Sequence, residues 1–419
     1  MKTLINIIIG IFVIASIAEG QQWQVYRTQN SPIPSNYVGT ILIDTNNVKW
    51  IGTSNGLARF YNNHWMVYDT SNSGLPENPL AAFAIDKLNK VWIGTASKGI
   101  AVFDGVNWIV YNRTNSQLPS NNIQDIKIDY NNVKWIGTSG GLVKIRDTVW
   151  TIYNTNNSAI PSNEVERVEL QNNTKWIGTF QNGMACFNDT IWTVYTSSNS
   201  GLPTNFIRDI SIDSAGNLWI ATQFGGIAKF NRQLNVWTPF NVNNSGLMDN
   251  NVQHIGIDLF GVKYISTFGA GVNILDSTWN YFNIQNSPIP SNSPISITID
   301  KYNNKWIGTA GGLAIYNEKG IVSIQHSEQV VSGNYRLFQN YPNPFNPTTK
   351  IRFNLSTNAV TQLQIFNNTG NLITTLLNKI VTSGSYEVEF DGSDLPSGIY
   401  FCRMETEVFK KTISMLLIK

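Results

Sequence analysis

The stretch KWIGTSNGLARF, Lys49 to Phe60, returns six more times along the chain. The later copies read VWIGTASKGIAVF, KWIGTSGGLVKI, KWIGTFQNGMACF, LWIATQFGGIAKF, KYISTFGAGVNIL and KWIGTAGGLAIY. Their aromatic residues, Trp50, Trp92, Trp135, Trp176, Trp219, Tyr264 and Trp306, are spaced 42, 43, 41, 43, 45 and 42 residues apart. A period of this size marks a propeller or a solenoid. Within the first unit the runs ILID, VKWIGT, GLARFY and HWMVY are short and rich in β-branched and aromatic residues. Asn, Gly, Asp and Pro separate them, and none has helical periodicity. Four strands per unit of about 40–45 residues is the arithmetic of a propeller blade. The expected fold is therefore all-β, a seven-bladed β-propeller over residues 21–317.

The ends of the array address closure. Trp23-Gln24-Val25-Tyr26 matches the W-x-x-Y run that ends each unit, and the seventh phrase, ending at Tyr316, has none after it. The N-terminal strand is expected to supply the outer strand of blade seven, with Ile321 to Gln325 as the competing segment. Each Trp is expected to pack between adjacent blades, and the Gly after it to let neighbouring sheets approach. Asp44, Asp86, Asp129, Asp213, Asp258 and Asp300 fall at a turn, where a carboxylate accepts backbone N–H bonds. The D-x-N-N spacing also suggests calcium. The turn is too short for six oxygens and lacks the distal glutamate, so neither a metal nor a cofactor is expected.

Residues 1–20 read as a secretory signal. Lys2 is followed by the apolar run LINIIIGIFVIASI, too short for a comfortable span, and Ala18-Glu19-Gly20 places small residues at a cleavage site near Gly20. An uncleaved anchor is the rival reading, and no later segment is apolar enough to cross a bilayer. Charged residues are only 13% of the chain and the net charge of +2 is spread without a basic run, which argues against nucleic acid. Cys186 and Cys402 fall in different parts of the chain and read as two buried free thiols.

The motifs WIGT-x-x-GL-x-x-F, W-x-x-Y, N-S-x-L-P-S-N and V-x-x-I-x-I-D together resemble the two-component regulator propeller repeats. That family supplies the periplasmic sensor part of some bacterial hybrid histidine kinases and also occurs in secreted proteins without a kinase. The departures are Tyr264 and Ser266 in blade six, Ala221 in blade five and Gln171 in place of the turn Asp in blade four.

After a linker, 318–335, the composition changes. Proline is dense between Leu337 and Leu355, which excludes a helix and a central strand there. The runs VTQLQIF, YEVEF, GIYFCRM and KKTISMLLIK then read as a small antiparallel β-sandwich over 336–419. NYPNPFNPTTKIRF, the FNNTG turn (Phe366 to Gly370), DLPSGIYF (Asp394 to Phe401) and the Lys-rich last strand resemble the type A C-terminal sorting domain. The resemblance implies that type IX secretion machinery is a partner, and that the cargo is released or attached to the outer cell surface.

Candidate site residues follow from the repeat register. Four positions before each turn stand Thr40, Ala82, Asp125, Arg167, Asp209, His254 and Ser296. Blades three to six thus contribute two carboxylates, a guanidinium and an imidazole at one level of the channel. The loop after each WIGT strand places Phe180, Phe224 and Phe268 in blades four, five and six, where exposed rings suit stacking on sugar or peptide. The leading expectation is a binding protein for a glycan or another surface protein. The alternative is a polysaccharide lyase or glycosidase, with Asp209 as base, His254 as acid and Arg167 neutralising a substrate carboxylate. A purely structural reading pairs Asp125 with Arg167 and Arg167 with Asp209 between blades. His64 and His326 read as solvated bystanders, and no HExxH, CxxC, GxSxG or phosphate loop occurs.

Overall fold

The computed structural model describes residues 22–61, 63–321, 335–355, 359–406 and 409–419. The expected signal segment, most of the linker with His326, and the competing closing segment beyond Ile321 lie outside the described residues. The chain divides into two compact units, residues 1–322 and 323–419. No helix occurs among the described residues, so none is long and apolar enough to cross a membrane.

The first unit is seven four-stranded antiparallel sheets. Six run in chain order from the first strand of the unit to the fourth. In the seventh, Pro294–Ile299, Lys305–Thr309 and Gly312–Tyr316 are completed by Trp23–Tyr26, with Trp23 opposite Tyr316 and Tyr26 opposite Leu313. The two ends of the propeller are thereby hydrogen-bonded in one blade, and Gly312–Tyr316 is not left as an unpaired edge.

The turn between first and second strands shows why Asp and Asn recur. Asp86 Oδ1 accepts the Leu88 and Lys90 N–H groups at 2.9 and 3.0 Å, and Asp129 does the same for Asn131 and Val133 at 2.9 Å. Asn47, Asn89, Asn132 and Asn303 take the left-handed position that the turn needs, with φ of 60–66°. In blades two, three, five and seven the second Asp oxygen reaches the tryptophan of its own blade, whereas Trp50 Nε1 of blade one is buried without a partner among the described residues. Asp86 accepts Trp92 Nε1 at 3.1 Å, Asp213 accepts Trp219 at 3.0 Å and Asp300 accepts Trp306 at 3.1 Å.

The other face of each ring meets a lysine from the next blade. Lys134 Nζ lies 5.2 Å from the Trp92 ring, Lys175 4.7 Å from Trp135, Lys263 4.7 Å from Trp219, Lys305 4.9 Å from Tyr264 and Lys49 4.8 Å from Trp306. These are the lysines that open the KWIGT phrase, to which the repeat reading assigned no role. Burial pulls the Lys49 and Lys134 ammonium groups below their ordinary range, while Asp300 and Asp86 oppose that pull. Two phrases open with Val91 and Leu218 instead. There Trp176 is covered by Arg232 at 5.4 Å, and Trp50 by Arg59 of its own blade at 5.6 Å.

The departures from the repeat are absorbed locally. Gln171 accepts Trp176 Nε1 at 3.2 Å in place of the Asp and donates to Gly216 O of blade five at 3.1 Å. The WIGT glycine is a close-approach residue: a Cβ on Gly137 would stand 2.8 Å from Val165 O of the next blade. Ala221 and Ser266 occupy that register in blades five and six.

The second unit packs a three-stranded sheet against a four-stranded one. The first holds Arg336–Leu337, Thr348–Leu355 and Gly384–Asp391; the second holds Leu372–Val381, Ala359–Phe366, Gly398–Glu405 and Lys410–Leu417. Ile351 and Phe353 from one and Leu363, Ile365 and Cys402 from the other share one core. Thr348–Leu355 is the middle strand of its sheet, contrary to the exclusion read from proline density. All the prolines precede it, so the ladder donors they remove are not those of this strand. Their segment is pinned instead by Phe345, buried in the core, whose N–H donates to Leu416 O at 2.9 Å. The ten-residue strand Leu372–Val381 was not read from the sequence; it is an edge strand with mostly exposed residues and no clear alternation. Cys186 and Cys402 are both free and buried, and burial pushes the Cys402 thiol up to about 12.

Replacing Gly137 by Ala is expected to cost about 1–3 kcal/mol, because backbone must move across a seam. Ala221→Gly at the same register is expected to cost at most about 1 kcal/mol. Denaturant unfolding of the two variants checks the difference.

Candidate functional site

The first strands of the seven blades line the central channel, a cavity of about 510 Å³. Each has a β-bulge at the same place, between Val38 and Thr40 in blade one and between Val165 and Arg167 in blade four. Thr40, Ala82, Asp125, Arg167, Asp209, His254 and Ser296 are the first paired residues after these bulges, so they share one register. An innermost strand has one edge without a partner strand, and its free N–H and C=O groups need other partners. Side chains of the preceding blade supply several. Asp125 Oδ2 accepts the Val168 N–H and Asp209 Oδ2 the Ile255 N–H, both at 2.9 Å. Ser211 donates to Ile255 O at 2.7 Å, and Thr298 to Ile41 O at 2.9 Å, across the closing seam.

The charged residues are thus brought together but are largely occupied. Arg167 Nε stands 3.5 Å from Asp209 Oδ1, and its Nη1 donates to the Gln124 and Glu166 carbonyls at 3.3 and 3.4 Å. Asp125 does not bond Arg167 directly; its other oxygen accepts the Ile126 N–H at 2.9 Å. His254 Nε2 is 3.7 Å from Asp209 Oδ2, and its Nδ1 has no protein partner. Burial holds the His254 imidazole below its usual range; Asp209 acts against this, while Arg167 and Lys127 reinforce it. Lys127 and Glu169, paired at 2.8 Å, lie two residues further along the same strands. The sequence reading missed them, although counting two residues back from the turn finds both.

On the channel face that carries the loops between second and third strands, Phe224 and Phe268 are 63% and 61% exposed. Phe180 is half-buried. Phe206, from the loop entering blade five, sits between Phe180 and Phe224, edge-to-face with centroids 5.8 and 6.2 Å away. Sequence reading missed Phe206, which occupies the position before the first strand, held by Asn122, Glu164 and Asn251 in neighbouring blades. Arg208, the bulged residue of blade five, organises the group. Its Nη2 donates to Gln223 Oε1 at 2.7 Å, its guanidinium covers the Phe180 ring at 5.3 Å, and Nη1 is 3.8 Å from Glu166 Oε2. Burial raises the Glu166 carboxyl above its usual range, with Arg167 and Arg208 acting against it.

Phe224 has a φ of 70°, and every other described non-glycine residue with positive φ is Asn or Asp. A bulky residue held there is strained by about 1–3 kcal/mol. Within its own blade the ring meets Phe206 edge-to-face, yet most of it stays in solvent. No group of three or more His, Cys, Asp or Glu positioned to hold a metal ion occurs among the described residues.

This architecture is that of a repeat propeller followed by a small β-sandwich, and comparison with known proteins gives each unit a family. Residues 201–224 match the two component regulator propeller model, and residues 339–419 match the secretion system C-terminal sorting domain. No curated protein matches the sequence. Among solved structures, the chain is similar to the extracellular domain of the putative hybrid two component system BT3049 from B. thetaiotaomicron. That match has a TM-score of 0.63 at 18% identity, over 95% of this chain and 57% of the other. It is also similar to PorZ, a surface component of the type-IX secretion system of Porphyromonas gingivalis, with a TM-score of 0.56 at 18% identity over 93% of this chain and 61% of that one. Virginiamycin B lyase from Staphylococcus aureus aligns with a TM-score of 0.57 at 15% identity, over 70% and 98%. At these identities the likeness shows the fold. The chain spans about three fifths of the first two. The sorting domain marks it as secreted or attached to the cell surface.

The His254 pKa gives a pH expectation. Below the ordinary value of 6.5, the unfolded imidazole takes a proton before the folded one does. The unfolded state then binds more protons, so stability falls as pH drops through this range. Thermal melting at pH 7.5 and 5.5 should show the decline, and His254→Gln should remove part of it.

Proposed function

We propose that this protein is an exported propeller that binds a glycan or a protein at the cell surface through the aromatic rim of blades four and five. In this reading the N-terminal signal is cleaved near Gly20. The tail is a type A sorting domain read by type IX machinery, which leaves the propeller released or anchored outside the cell. The single observation that carries the binding role is Phe224, whose strained backbone presents a large ring to solvent beside Phe206 and Arg208. Strain of this kind persists where function uses it. The channel residues support the scaffold better than they support catalysis. Asp209 is engaged by a backbone N–H and by Arg167, so it is poorly placed to act as a base. His254, with its lowered pKa, holds little proton to donate at neutral pH.

Screening the chain against glycan and surface-protein panels tests the proposal, with each hit repeated on Phe224→Asn and Phe206→Ala. Asn accepts the left-handed backbone, so Phe224→Asn should unfold at a higher temperature than the parent. Its affinity should fall by at least about tenfold, equivalent to ~1.4 kcal/mol. Binding unchanged in both variants would remove the rim as the site.

A further inference from the structure

The loops on the rim face are unevenly endowed. Over blades four to six, the turns after the second strands and the loops entering blades four to seven contain two charged residues, Glu164 and Asp249, and no Lys or Arg. The remaining sector has Arg27, Lys98 and Arg113 as well as Asp69 and Glu77. The two carboxylates stand beside the aromatic positions. The Glu164 carbonyl accepts the Phe180 N–H at 3.2 Å, which joins the two backbones. Asp249 Oδ2 accepts the N–H of Gly269, next to Phe268, at 3.1 Å. Glu166 lies at the bulge below, facing Arg208. Arg208 is the one basic residue of this part of the rim, and it is spent on Gln223 and on the Phe180 ring. Below the rim, Lys127 pairs with Glu169 and Arg167 with Asp209, so the charge of those cations is already offset.

Exposed rings attract cations through the negative faces of their π systems, and carboxylates at the edge add a long-range pull. A neutral sugar would stack on the rings and donate hydroxyls to the carboxylates without using their charge, an acidic ligand would be repelled, and a cation uses both the ring faces and the charge. We propose that the rim of blades four to six binds a basic polypeptide segment. An arginine or lysine of that segment lies against Phe224 or Phe268, with its charge turned toward Glu164 and Asp249. The inference rests on the aromatic rim being a binding surface and adds the class of ligand.

The test uses the full chain and a fluorescein-labelled, arginine-containing decapeptide, with a citrulline version that keeps the shape and removes the charge. The arginine peptide should bind at least about tenfold more tightly than the citrulline one, and its affinity should fall steadily with added salt. Glu164→Gln and Asp249→Asn should each weaken it several-fold, with melting temperatures measured in parallel. Asp249 accepts the Asn251 N–H at 2.9 Å as well as the Gly269 N–H, so Asp249→Asn keeps one of two bonds and should lower the melting temperature slightly without unfolding the protein, while exposed Glu164 makes no side-chain bond in the fold. Phe224→Asn should weaken the arginine peptide at least about tenfold, and Phe224→Asn combined with Phe268→Ala should abolish its signal. Equal binding of the two peptides, or no binding of either, would overturn the proposal. If neutral glycans bind, are lost in Phe224→Asn and ignore both carboxylate changes, the rim stands as a site and the cationic class falls.

Discussion

Most seams between blades rest on one repeated contact. A tryptophan indole is held at its N–H by a turn carboxylate of its own blade and capped on its face by a lysine of the next. Each partner solves a problem for another. The indole N–H would be costly to bury alone, the carboxylate needs donors once it enters the turn, and the lysine offsets its desolvation against a ring and a nearby acid. Where the acid is missing, Gln171 supplies an oxygen. Where the lysine is missing, Arg232 covers Trp176 from a different strand. The same contact closes the ring, since Lys49 of blade one caps Trp306 of blade seven and stands 3.7 Å from Asp300.

A scaffold held by its seams leaves the loops on the channel face free to vary. Most of those loops are built alike. Asn72, Asn115 and Asn157 use side-chain oxygens and amides to bond nearby backbone, so the loops keep their shape with little apolar support. Against that uniform background, blades four to six depart in one direction. They gain Phe180, Phe206, Phe224 and Phe268, lose surface cations and retain two acids. The channel beneath is busy with its own backbone, because an innermost strand without a partner consumes Asp125, Asp209, Ser211 and Thr298 as hydrogen-bonding partners.

Much of the scaffold was legible in the chain. The period, the four runs per unit and the turn aspartates follow from local chemistry repeated seven times, and repetition separates meaningful residues from chance. The lysine of KWIGT was equally visible but had no assignable role, since its partner is a ring some forty residues earlier in another sheet. The site was legible as positions and less so as roles. Counting from the turn placed Asp125 and Asp209 at one level, but not that their oxygens would be taken by the next blade's N–H groups.

The sequence by itself determined the number and kind of blades, the closing strand's W-x-x-Y identity, and the presence of a second, proline-led β unit. Those depend on patterns within a few residues and on their repetition. The tertiary structure decided which groups remain free. The left-handed backbone of Phe224, the placing of Phe206 between two rings, and the use of Arg208 as a clamp all arise where loops from adjacent blades meet. The physical reason is that exposure and pairing are properties of neighbours in space, and a blade's neighbours lie about one repeat away along the chain.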